Sequence, residues 1–121
     1  MKFSFVAIIS ISLLLSCSKE PRDGLQGKWK WVITTGGIGG WTHTPESSGN
    51  TVTLEISDTH IDSYQNGDLL DSREYTLEQP SGEQMKLVYN TSYFRYCYFD
   101  EDSLSIWDPG ADGFHEIYVR K

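Results

Sequence analysis

From residue 25 onward the chain is built of short segments in which apolar and polar positions alternate, or in which aromatic residues crowd together, and clusters of Gly, Pro, Asn, Asp and Ser separate them. Successive side chains of an extended strand point to opposite faces, so a period of two marks half-buried strands, and no segment sustains the 3.6-residue period of an amphipathic helix. Eight strands are predicted, near Gly27–Thr34, Thr51–Ser57, His60–Gln65, Leu69–Leu77, Gln84–Asn90, Tyr93–Phe99, Ser103–Trp107 and Phe114–Arg120. Most links between them are tight: Ser57-Asp58-Thr59, Asn66-Gly67-Asp68, Pro80-Ser81-Gly82, Asn90-Thr91-Ser92 and Asp100-Glu101-Asp102, with a longer one at Asp108–Gly113. Asn66-Gly67 is the strongest hairpin signal, because a type I′ turn needs positive φ at both central residues. Links this short join only antiparallel neighbours. The expected fold is all-β, a small antiparallel up-and-down barrel of eight strands, which removes exposed edges; a sandwich of the same strands is the lesser alternative.

Alternation also assigns faces. Val52, Leu54 and Ile56 share one side against Thr53 and Glu55, and Tyr75 with Leu77, Met85 with Leu87 and Tyr89, and Leu104 with Ile106 repeat the rule. In Tyr93–Phe99 both faces are largely apolar; the expectation there is Phe94, Tyr96 and Tyr98 inward, with Cys97 left beside Arg95.

The first residues follow a different pattern. Lys2 precedes an apolar run, Phe3–Leu15, broken only by Ser4, Ser10 and Ser12. Such a run suits the core of an export signal and is short for a bilayer span. It ends in Leu14-Leu15-Ser16-Cys17 with polar Ser18-Lys19-Glu20 after it. That ending resembles the lipobox of bacterial lipoproteins, and the resemblance implies that residues 1–16 are removed and that Cys17 becomes the first residue, carrying a diacylglycerol on its thiol and an acyl chain on its amine. Several chains at about 0.8 kcal/mol per buried methylene anchor almost permanently. Residues 17–24 then form the lipidated cysteine and a tether, in which seven extended residues span roughly 23 Å, and residues 25–121 form the domain. Ser18 rather than Asp after the cysteine points to the outer membrane by the sorting rule of some Gram-negative lipoproteins.

Composition narrows the partners. Ten Lys and Arg face seventeen Asp and Glu. Removing Lys2 with the signal leaves nine positive groups and a formal charge of −8. Nucleic acid is an unsuitable partner for such a field, and no basic tract overrides it. With Cys17 consumed by lipid, Cys97 stands alone and no intrachain disulfide forms. A domain of roughly a hundred residues must therefore rest on one core.

Leu25-Gln26-Gly27-Lys28-Trp29 resembles the Gly-x-Trp start of the lipocalin and calycin barrels, and Tyr118-Val119-Arg120 resembles their closing strand. The resemblance implies that Trp29 plugs the closed end of the barrel and that Arg120 lies over its ring, a stacking worth about 0.5–2 kcal/mol. This chain is shorter than a typical secreted lipocalin, lacks its disulfides and shows no helix before the last strand; it is closer to the compact lipocalin-like domains of bacterial lipoproteins. The resemblance implies no particular ligand. It makes Thr34–Asn50, with four glycines around Ile38 followed by Trp41 and His43, a lid over the barrel mouth. A long structureless link is unusual in a compact domain, and two readings stand level: a mobile segment carrying an apolar plug or a contact surface, or a flexible loop with Trp41 tucked against the rim. No phosphate-cradling helix is expected after Pro45.

No catalytic constellation is present. His43, His60 and His115 lack metal-ligand spacing, the acidic turns lack the oxygen alternation of a calcium loop, and neither a Gly-x-Ser-x-Gly elbow nor a base for Cys97 exists. The expectation is a protein that is not an enzyme and needs no cofactor or metal beyond its lipid. Two functions remain. One is a small apolar or aromatic ligand held in the barrel mouth, lined by Trp31, Trp41, Tyr64, Tyr75, Tyr89 or Tyr96. The other is an interaction module with a filled core, whose loops and Trp41 meet another envelope protein or the bilayer surface. Fourteen aromatic residues after the signal argue against a large void in an eight-stranded barrel.

Overall fold

Every alternating segment becomes a strand. The computed structural model describes residues 24–81 and 84–121. The expected signal segment, Cys17 and the tether up to Asp23 lie outside the described residues, as does Gly82 of the expected Pro80-Ser81-Gly82 turn. The strands are β1 (Gly27–Gly36), β2 (Trp41–His43), β3 (Val52–Ile56), β4 (His60–Gln65), β5 (Asp68–Glu74), β6 (Thr76–Ser81), β7 (Gln84–Asn90), β8 (Tyr93–Phe99), β9 (Ser103–Trp107) and β10 (Phe114–Arg120), with a four-residue helix α1 (Pro45–Ser48) after β2.

The hydrogen-bonded order is β5-β4-β3-β1-β10-β9-β8-β7-β6, with β2 branching from β1, and every pairing is antiparallel. First and last strands pair, so the meander closes into a barrel except at one seam. There β5 and β6 are the two ends of the sheet, yet they are consecutive in the chain, joined through Tyr75. The stretch expected as a single strand thus divides its partners, pairing with β4 through its first part and β7 through its second. Eight segments run round the barrel, as the alternation predicts, and the count rises only because one is split and β2 is added.

The structure corrects the expected loop. β1 continues to Gly36 and turns back as the β1–β2 hairpin, in register Thr34↔His43, Thr35↔Thr42 and Gly36↔Trp41. α1 follows, although no helix was expected after Pro45. Thr44 caps it by accepting from the Ser47 amide while Ser47 reaches back to the Thr44 amide, and Pro45 begins it where a missing N–H costs nothing. A helix this short ends at Gly49, whose φ of 72° is left-handed.

The core is the inner face of the barrel. Leu25, Trp29, Trp31, Leu54, Ile56, Ile61, Tyr75, Leu87, Cys97, Leu104, Ile106 and Tyr118 are buried, and Val52, Leu77, Met85, Tyr89 and Phe99 pack on them. At the end where the described chain begins, Trp29 is wholly buried, its indole N–H donates to the Leu25 carbonyl at 2.8 Å, and the Arg120 guanidinium lies 3.9 Å from its ring centroid. Arg120 also donates to the carbonyls of Gln26, Gly24 and Glu101. All three nitrogens of one guanidinium therefore satisfy backbone oxygens while its face covers the indole, and this end of the barrel is plugged.

In β8 the expected faces are reversed. Arg95, Cys97 and Phe99 turn inward; Tyr98 is exposed, and Phe94 and Tyr96 lie on the outer wall with Trp107. An inward arginine is normally expensive. Here two carboxylates meet it, while outside, Lys86 over the Phe94 and Tyr96 rings, the edge contact of Phe94 with Tyr96 and the tilted contact of Tyr96 with Trp107 give the aromatics partners without burial.

Candidate functional site

Beyond the plug, toward the opposite end, the barrel is not filled. A cavity of about 210 Å³ lies between β3, β4, β5 and the β7–β10 wall. Its apolar side is Leu54, Ile61 and Ile106; its aromatic side is Tyr89, Tyr93 and Tyr118; Ser63, Asp71, Arg73, Arg95 and Glu116 supply the polar groups.

Arg95 forms the floor of this polar set, with 13% of its side chain exposed. Its Nε donates to Asp108 at 2.7 Å and its Nη1 to Glu116 at 2.5 Å. Glu116 also accepts from the Tyr118 hydroxyl at 2.6 Å, and Asp108 accepts from the Phe114 amide. Charge in this cluster is met by direct charge-assisted bonds, which is what makes its burial tolerable. Burial raises the Tyr89 phenol well above the ordinary tyrosine range; burial and then the Glu116 charge do the same for Tyr118. Both rings therefore present neutral hydroxyls at any physiological pH.

Arg73 enters from the other side. It sits on β5, an edge strand exposed at every position. Its Nε donates to Asp71 at 2.6 Å, and its guanidinium carbon lies 5.7 Å from the centroids of both Tyr89 and Tyr93, which stack on each other at 5.3 Å. Seam and cavity thus share a wall: one side comes from β5, whose outer edge is unpaired among the described residues, the other from the closed part of the sheet.

Of the expected ligand residues, only Tyr89 lines the cavity. Trp31 is buried beside its cross-strand partner Tyr118, with its indole N–H on Thr34 Oγ1 at 2.8 Å. Tyr75 is buried at the seam and donates to the Ser57 carbonyl at 2.6 Å. Together with Tyr89 it lines an open groove of about 880 Å³ on the outside of the seam. Tyr64 is on the outside of the barrel, where the charge of Glu55 raises its phenol. Tyr96 belongs to the outer aromatic row. Trp41 is 60% exposed on the β1–β2 hairpin, stacked on His43 rather than tucked against the rim, and Ile38 at the tip is 93% exposed. The cavity therefore leaves out Trp31, Trp41, Tyr64, Tyr75 and Tyr96, because aromatic character does not report which face a residue takes.

The sequence reading missed Arg73, Arg95, Tyr93, Asp71, Glu116 and Tyr118. Parity was the available signal. Tyr75 and Leu77 were placed inward, and the same alternation carried back puts Arg73 and Asp71 on that side; Arg120 over Trp29 likewise carries Tyr118 and Glu116 inward.

Among the described residues no group of three or more His, Cys, Asp or Glu side chains is placed to hold a metal. His60 contacts Thr59 and Glu74, and Asp100 is occupied by the amides of Asp102 and Ser103, which hold its carboxyl below the usual range. The Cys97 thiol is buried and its pKa is pushed up to about 12, so it is a poor nucleophile. Compared with protein-family models, curated proteins and solved structures, the chain finds no match.

Proposed function

We propose that the chain is a lipid-anchored, non-enzymatic binding protein of the cell envelope that holds one small ring-bearing molecule inside its barrel mouth. The observation that carries this reading is the cavity of about 210 Å³ walled by Tyr89, Tyr93 and Tyr118. Size selects the ligand class. A dry cavity of about 150 Å³ accepts benzene, and drug-sized sites begin near 300 Å³. This one holds a single ring with a small substituent. Its lining selects further, since a wholly apolar ligand would cover Ser63 and Arg73 without bonding to them. Anchoring rests on the apolar run Phe3–Leu15 and the lipobox-like ending at Cys17. Arg120 fixes Gly24 at the plugged end, so a tether leaving from there turns the mouth away from the anchoring membrane.

Native mass spectrometry of the protein purified from the cells that make it tests the binding half. A small co-purifying mass is expected, and its reproducible absence, together with no binding of any single-ring probe, removes the reading. Cys17→Ser tests the anchor: the variant is expected to lose palmitate labelling and leave the membrane fraction, and retention of both overturns it.

One observation favours the second reading, an interaction module. Ile38 and Trp41 stand exposed at the tip of the β1–β2 hairpin, where they line none of the cavity. Under that reading Ile38→Ser/Trp41→Ser abolishes capture of an envelope partner without changing small-molecule binding.

A further inference from the structure

We infer that the molecule taken by the cavity is a small aromatic monocarboxylate, held by the two terminal nitrogens of Arg73 while its ring lies against Tyr89 and Tyr93. This rests on the proposed binding function and names its ligand.

The argument is an inventory of committed and uncommitted polar groups. Three arginines approach the barrel interior. Arg120 is fully engaged, with Nε, Nη1 and Nη2 all on backbone carbonyls. Arg95 is neutralised by Asp108 and Glu116. Arg73 is bonded only through Nε to Asp71, and its terminal nitrogens have no protein partner among the described residues. A guanidinium offers its two terminal nitrogens in a coplanar fork that matches the two oxygens of a carboxylate. The nearby carboxylates are already occupied, Glu116 by Arg95 and Tyr118 and Asp71 by Arg73 itself. The phenols of Tyr89 and Tyr93 line the same space without a protein hydrogen bond among the described residues, and Tyr89, being neutral, can only help an anion by donating. Donors are thus in surplus. The aromatic pair under Arg73 then supplies a flat surface for a ring, and the volume admits one ring and one carboxylate.

Benzoate, benzamide, toluene and benzylammonium serve as probes of nearly equal shape and different charge. Each is titrated into the purified protein, with chemical shifts of the tyrosine ring signals as the readout, in wild type, Arg73→Gln and Arg73→Lys. Arg73 is half exposed on an edge strand, so these variants retain the fold, which far-ultraviolet circular dichroism checks. The expected result is that benzoate binds about tenfold more tightly than benzamide, that Arg73→Gln removes the difference while ring binding persists, and that Arg73→Lys keeps part of it. Benzoate binding no better than benzamide, or a preference that survives Arg73→Gln, overturns the carboxylate assignment and leaves the cavity reading standing. A preference for benzylammonium overturns it in favour of Asp71 as the recognition group. If none of the probes moves a tyrosine signal, the binding function falls and the inference falls with it.

Discussion

At Arg120 a single guanidinium covers the Trp29 ring and donates to three carbonyls contributed by Gly24, Gln26 and Glu101. Its removal leaves those oxygens and the indole face to water. Arg120→Met is expected to lower unfolding free energy by about 2–4 kcal/mol, and Arg120→Lys by somewhat less, since an ammonium keeps the charge over the ring but cannot reach three acceptors; urea denaturation of both variants checks the order. Cys97 carries a second expectation. A free thiol titrates near 9, whereas burial moves this one to about 12. Below pH 9 it is protonated both folded and unfolded, so stability is level. Between 9 and 12 the unfolded chain releases a proton that the folded chain keeps, so stability falls as pH rises. The buried tyrosines add the same sign only above about 10. Between pH 9 and 10 the wild type should therefore lose about 1 kcal/mol more than Cys97→Ala, and equal slopes in paired urea titrations would show that the thiol is not sequestered. Charged residues also mark where sequence reading stopped at this scale. Alternation with the apolar rule placed Leu54, Ile56, Leu87, Leu104 and Ile106 correctly, but it cannot turn Arg95 inward, because nothing local records that Asp108 and Glu116 will converge on it.

At the scale of elements, the hairpins show which signals are local. Asn66 and Gly67 have φ of 53° and 89°, the positive pair that their dipeptide announced, and the Asn66 carboxamide oxygen accepts from the Thr51 amide at 2.9 Å. The β1–β2 hairpin was read as loop because its strands are rich in Gly and Thr and its register is set by β10, which pairs Thr34, Thr35 and Gly36 with Glu116, His115 and Phe114. The long-range pairing overrides the weak local propensity. Gly36 shows its cost: at φ 117° an added Cβ would sit 2.3 Å from the Gly113 carbonyl oxygen, whereas at Gly40, φ 64°, it would meet nothing within 4 Å. Gly36→Ala is expected to destabilise by about 2–4 kcal/mol, combining backbone strain with overpacking, and Gly40→Ala by about 1 kcal/mol from backbone strain alone. Thermal melts of the pair decide it, and similar losses in both would mean that β1 and β10 part freely at that end.

For the whole molecule, what matters is that closure is unequal round the barrel. β1 is paired on both sides, with β3 and β10, and its Trp29 and Trp31 are buried; among the described residues β5 is paired on one side only, and it is exposed throughout. Opening free energies follow buried contacts and doubly paired hydrogen bonds. Amides of Asp68–Glu74 are therefore expected to exchange with solvent faster than those of Gly27–Ile33 by orders of magnitude in the empty protein, and equal protection would refute the open seam. The same strand brings Arg73 to the cavity, so under the proposed binding function its excursions would admit and release the ligand, which would link β5 to Tyr89 and Tyr93 across the gap. A ligand held by Arg73 must leave when β5 opens, which slows that opening by the factor by which ligand exceeds its dissociation constant, about a hundredfold at a hundredfold excess. The tip of the β1–β2 hairpin, Gly37–Gly40, lines no part of the cavity and opens without disturbing the ligand, so its exchange should stay unchanged. Hydrogen exchange read at these two places with saturating benzoate separates a ligand that closes the seam from one that merely stabilises the fold: slowing confined to Asp68–Glu74 and Tyr89–Tyr93 marks the seam as the entrance, whereas unchanged β5 exchange under saturation places the bound molecule elsewhere.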